Sequence, residues 1–109
     1  MKKETVLNLL DGTGIPREAD FAVPINGVSK MLPYLVTRMK ETVDGDDRGR
    51  IRWVKTEWVV ALFTTNRDDV LESKILRCLA SVGRVEVERF PDGKPYQTNF
   101  EFITKQISS

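Results

Sequence analysis

Four groups of residues have types and spacings that could do chemistry. They are Asp11-Gly12-Thr13-Gly14, the acids of Asp44-Gly45-Asp46-Asp47, the bases and tryptophans between Arg48 and Trp58, and Cys78. An Asp-Thr-Gly triplet would supply one carboxylate of an aspartic-protease dyad, which shares a proton with a second Asp. Here Gly12 intrudes between Asp11 and Thr13, and the segment follows a helical pattern instead of a strand. As a phosphate loop the run lacks a Gly-Lys-Ser/Thr ending, and as a dinucleotide loop it lacks the preceding strand. It reads as a helix stop and turn. Asp44, Asp46 and Gly49 match the start of a calcium loop, but Arg48 then takes a ligand position and Lys55 replaces the bidentate Glu. The run reads as a solvated hairpin tip.

Arg48, Arg50, Arg52 and Lys55 interleave with Trp53 and Trp58, a composition that can hold single-stranded nucleic acid. Asp44, Asp46, Asp47 and Glu57 neutralise that patch, and a regular strand puts the two Trp on opposite faces. One core Trp and one interface Trp is the better reading. Cys78 sits in the middle of a helical apolar stripe and reads as a buried small hydrophobe. The chain has no His, which removes Ser-His-Asp and Cys-His nucleophile systems and every His-ligated metal. One Cys makes no internal disulfide and no Cys-rich zinc site. No nucleophile, base and orienting group assemble, so the expectation is no enzyme, no cofactor, no metal and no small-molecule substrate.

The elements that must position these residues fit in one domain. The chain has 109 residues, 40% of them hydrophobic and 30% charged, which is too apolar for disorder and long enough for one modest core. Its net charge of +1 supplies no basic field for nucleic acid and no polybasic membrane anchor. The start lacks the apolar run of a signal peptide, and no run approaches a membrane span, so an intracellular protein or one released by lysis is expected. Residues 3–10 read as a short helix with Val6, Leu7, Leu9 and Leu10 in one stripe. Residues 17–23 read as a strand with Ala19, Phe21 and Val23 on one face, and 34–42 as a second strand. The polar run 44–49 is a hairpin loop.

Residues 50–65 form the longest strand, with Val54, Thr56, Trp58, Val60 and Leu62 on one face. Trp53, Lys55, Glu57, Val59, Ala61 and Phe63 share the other. That pattern makes the strand central and partly covered on both sides. Residues 66–83 form an amphipathic helix through Leu71, Ile75, Cys78, Leu79 and Val82. Asn66 or Asp68 serves as N-cap and Gly83 as a left-handed cap. Residues 84–90 form a strand, 91–95 a turn, and 97–105 the last strand, with the final residues frayed. The expected core packs Val54, Trp58, Val60 and Leu62 under the helix stripe, joined by Phe100 and Phe102. The expected fold is α+β, one mostly antiparallel sheet with two helices packed on it, over residues 1–109.

This order carries a resemblance. A helix runs into Thr13-Gly14-Ile15-Pro16, followed by Leu32-Pro33-Tyr34-Leu35-Val36 and then the strand ending Trp58-Val59-Val60-Ala61-Leu62-Phe63-Thr64. Asn66-Arg67-Asp68-Asp69 leads into the helix Val70-Leu71-Glu72-Ser73-Lys74-Ile75, and Tyr96-Gln97-Thr98-Asn99-Phe100-Glu101-Phe102 closes the domain. The layout resembles the small tail completion, or tail terminator, proteins of tailed siphovirus-type phages and prophages, over nearly all of residues 5–104. Residues 23–31 depart from the pattern in carrying less acid and less charge. The resemblance implies a structural virion protein of the tail neck, assembled in the host cytoplasm. It implies a ring of identical subunits, a hexamer, that caps the tail tube and contacts the major tail tube protein and the head-tail connector. It brings no catalytic motif and no membrane partner.

Two alternatives compete: a small nucleic-acid-binding α+β module, marked by a one-sided basic surface, and a small enzyme or ligand carrier, marked by a pocket with convergent polar groups. For the ring, the candidate interface is Asp44, Asp46, Asp47, Arg48, Arg50, Arg52, Trp53, Val59 and Phe63. Acids lie beside bases in the hairpin, so one subunit's acids can meet the next subunit's bases. Trp53, Val59, Ala61 and Phe63 supply apolar contact beside them.

Overall fold

Period-two alternation through residues 51–64 builds the middle of the sheet. The computed structural model describes residues 2–18, 32–45, 48–49 and 51–107, with side chains except at 18, 51, 52 and 107. Its elements run α1 (Lys3–Asp11), β1 (Arg17–Glu18), β2 (Tyr34–Gly45), β3 (Ile51–Thr64), α2 (Asp69–Cys78), β4 (Glu86–Phe90) and β5 (Tyr96–Ile107). The strands lie in the order β1-β2-β3-β5-β4. All neighbours are antiparallel except β1, which joins β2 in parallel at Leu35 and Val36. The fold is α+β, one mostly antiparallel sheet with two helices packed on one face.

β5 returns between β3 and β4, so β3-α2-β4 is a crossover with a strand slotted into its gap. This ordering makes β3 central, as its two apolar stripes require. The helix-side face carries Leu35, Trp58, Val60, Leu62, Phe100 and Phe102, and it packs with Val6 and Leu10 of α1 and Ile75 and Leu79 of α2. The expected core therefore holds for Trp58, Val60, Leu62, Ile75, Leu79, Phe100 and Phe102, with Leu71 and Val82 partly buried against it. Two of its members are corrected. Val54 is only half-buried, because it lies beyond the row of Glu41 and Thr56, where Lys3 pairs with Glu41 at the start of α1. Cys78 is half-buried, beside Gly12 where the helices end together.

Several boundaries move as well. Of residues 17–23 only 17 and 18 are described, as β1, and Ala19, Phe21 and Val23 lie outside the described residues. β2 runs on to Gly45, so Asp44 belongs to the strand and not to the loop. The expected single helix is an α-helix to Cys78 followed by a 3-10 turn over Ala80–Val82. Asp68, not Asn66, caps it, accepting the Leu71 N–H at 3.0 Å. Gly83 takes a positive φ of 95° with ψ −134°, outside the left-handed helical region, and thus turns the chain into β4 instead of capping an α-helix. Gln106 and Ile107 are paired to β3 rather than frayed.

The Asp11–Gly14 motif is used as a helix stop. Thr13 is buried, its hydroxyl donating to Leu10 O at 2.7 Å and accepting the Ile15 N–H at 3.1 Å. Gly14 has φ 74°, and Arg17 grips the Asp11 carboxylate at 2.7 and 3.3 Å. No helix among the described residues is long and apolar enough to cross a membrane.

Candidate assembly surface

Strand parity sends every second residue of β2, β3 and β5 away from the helices. Near the sheet's base that second face is closed by its own contacts. Tyr34, Val36 and Ala61 are buried, and Phe63 stacks on Tyr34 with centroids 5.0 Å apart. Further along, the rows become charged. Arg38 stands opposite Val59 and then Glu101, and Lys40 stands opposite Glu57 and then Ile103. Glu86 continues the first of these rows on β4. Lys55 lies 3.6 Å from Glu57, and Lys105 Nζ sits 5.1 Å from the centre of the Trp53 ring.

The described members of the sequence-predicted interface do not form one patch. Asp46, Asp47 and Arg50 lie outside the described residues. Asp44 and Arg48 are exposed at the hairpin end. Asp44 pairs with Trp53 and Gly45 with Ile51, so the register shifts by one residue and skips Arg52. Trp53 and Val59 share the second face, but six residues of strand, about 20 Å, separate them, and Lys55 and Glu57 lie between. Phe63 and Ala61 are committed to the Tyr34 cluster, so they add no free apolar area beside the hairpin. Trp58 lies on the opposite face in the core, as parity requires.

Sequence reasoning missed two features. Arg38 and Lys40 on β2, and Glu86 and Glu88 on β4, are same-sign pairs two residues apart, a spacing that puts each pair on one face of its strand. The other missed feature is Glu72, which is 4% exposed on the buried side of α2. Its position three before Ile75 and seven before Leu79 marked it as core-facing. Arg89 donates to Glu72 Oε1 from Nε at 3.0 Å and from a terminal nitrogen at 2.7 Å. That hydrogen bond, with attraction from the same carboxylate, raises the Arg89 guanidinium above its ordinary value, so it stays cationic at any working pH.

Glu72 Oε2 has no hydrogen-bond partner among the described residues and sees Arg67 Nε at 4.0 Å. Arg89→Met should therefore destabilise the fold by several degrees of melting temperature, because it strands a buried carboxylate. The double variant Glu72→Met with Arg89→Met should recover most of that loss. Thermal melts of the three proteins check this; a double variant as unstable as the single would mean the ion pair is not the cause.

Beyond the first residue of β4, Glu86, β5 continues unpaired on that side among the described residues. A shallow cleft of about 410 Å³ lies there, lined by residues including Glu57, Val59, Glu86, Glu101 and Ile103. Its charged lining is mainly carboxylate, Glu57, Glu86 and Glu101, with Arg84 among them. Among the described residues, no group of three or more Cys, Asp or Glu is placed to hold a metal ion. No protein-family model matches this chain, and no curated protein matches it significantly.

Proposed function

We propose that this chain is a structural assembly protein of the tail-completion type, which closes a phage tail tube as a ring and joins it to the head connector. One observation carries the reading. The β2–β3 hairpin continues past the start of α1, on a sheet whose second face bears no helix among the described residues. A subunit of that shape offers its neighbours both a strand-built extension and an exposed sheet face, while the helices on the other side keep the core closed. The order of elements that resembles tail terminators supports the same role. Its partners would be copies of itself, the major tail tube protein and the connector, in the virion neck. The role is architectural and needs no turnover.

The nucleic-acid alternative has less support. Trp53 already has Lys105 over its ring, and Glu57, Glu86, Glu88 and Glu101 share the face with the bases. The test is tube assembly. If the reading is right, a major tail tube protein from the same genome should polymerise without limit alone and to capped, length-limited tubes when the chain is added. Negative-stain electron microscopy reads the length and the end structure. Tubes of unchanged length with bare ends would overturn the reading.

A further inference from the structure

The face of the sheet that bears no helix among the described residues has margins of opposite charge. On its β2 side Arg38 and Lys40 are consecutive outward-facing residues, and both are exposed. On its β4 side Glu86 and Glu88 are likewise consecutive and exposed, with Glu101 next to Glu86 in register. Phe90 extends the acidic margin and is 38% exposed, and Ile103 between the margins is 49% exposed. β1 pairs only with Leu35 and Val36, so from Arg38 onward the outer edge of β2 has no strand partner among the described residues. β4 likewise has no outer neighbour among the described strands.

β2 and β4 are three strand spacings apart, about 14 Å. That exceeds the Debye length of about 8 Å at physiological salt, so the margins do not cancel each other. Arg84 reaches Glu86 at 3.1 Å, but both side chains are more than half exposed, and such a pair holds weakly. Glu57 faces Lys40 across the strands and is shared with Lys55 at 3.6 Å, so neither of these exposed contacts is strong. What counts is the sign each margin carries, not a vacant side chain.

We propose that a second copy of this chain docks here head to tail, the Arg38/Lys40 margin of one copy against the Glu86/Glu88 margin of the next. The inference rests on the ring reading above and names its surface. A molecule that carries both halves of a complementary contact on opposite margins satisfies itself with its own copies. Such a contact is heterologous and repeats until rotation closes it. Phe90 and Ile103 add the apolar share that a charged rim alone lacks.

The experiment uses the whole chain in two reversed forms, Arg38→Glu/Lys40→Glu and Glu86→Lys/Glu88→Lys. The first has two acidic margins and the second two basic ones. Sedimentation velocity at low salt and high protein concentration should show the unmodified chain associating, and association should weaken as salt rises. Each reversed form alone should sediment as a monomer, while an equimolar mixture should associate again, since acidic and basic margins then alternate. Circular dichroism checks that both forms are folded, and a form that is not is replaced by the milder Arg38→Gln/Lys40→Gln or Glu86→Gln/Glu88→Gln. An unmodified chain that stays monomeric, a reversed or neutralised form that associates as the unmodified one does, or folded reversed forms that fail to associate when mixed would each overturn the inference. Its failure is separable from that of the proposed function. Reversed forms that still cap tubes sink this surface and leave the function standing, whereas rings that form through this surface yet never cap tubes do the reverse.

Discussion

Trp58→Ala should lower the stability of the fold by about 3–5 kcal/mol, the cost typical of deleting a large buried aromatic. A domain of this size has only about 5–15 kcal/mol in total, so the variant should sit near the edge of folding. Trp58 is 1% exposed in the central strand and lies between Met39 and Phe102 in register. Its ring stacks on Phe102 with centroids 5.8 Å apart and planes 8° from parallel. The indole N–H donates to Thr104 Oγ1 at 2.9 Å, and Thr104 is itself buried. Truncation thus removes packing on both sides and leaves a buried hydroxyl without its donor.

The two contributions can be separated. Trp58→Phe keeps most of the apolar surface but strands Thr104, and Thr104→Val strands the indole N–H; each should cost about 1–3 kcal/mol. The double variant should cost less than their sum, because the second change removes the group that the first left unpaired. Urea midpoints at constant slope give the comparison. Additive losses would show that the hydrogen bond contributes nothing beyond packing.

The second large effect is expected at Ile75→Ala, about 2–5 kcal/mol. Ile75 is fully buried in α2 and joins the cluster containing Trp58, Val60 and Phe100. α2 is only ten residues long, too short to be stable alone, so its attachment to the sheet is what keeps it helical. Val70→Ala, five residues earlier on the same helix, is the control. Val70 is 75% exposed, and its loss should change stability by less than about 0.5 kcal/mol. An unchanged denaturation midpoint for Ile75→Ala would mean that α2 does not seal this face of the sheet.

Much of the fold was legible because burial imposes a period. In β3 the residues Trp58, Val60 and Leu62 alternate with Val59, Ala61 and Phe63, and that rhythm alone separates the two faces. Ile75 and Leu79 mark the core side of α2 in the same way. The reading failed where the same rhythm extended beyond its cover. Val54 continues the apolar stripe of β3, yet it lies past the start of α1, and no periodicity reports how far a neighbouring helix reaches. Cys78 keeps the helical spacing but falls at the end of α2, where the chain tightens into a 3-10 turn and the stripe rotates.

The sequence by itself determined the type and order of the elements, the stop at Asp11–Gly14, and which residues of each strand share a face. These depend on local sterics, capping and period, all of which act over a few residues. Only the tertiary structure decided the strand order that slots β5 between β3 and β4. That order puts Arg38 and Lys40 at one margin and Glu86 and Glu88 at the other, although nothing in either strand names its distant neighbour. It also decided that Arg89, on β4, meets Glu72, on α2, across 17 positions of sequence. Strand pairing and a buried ion pair are chosen by how all the apolar faces close at once, and that choice is a property of the whole chain.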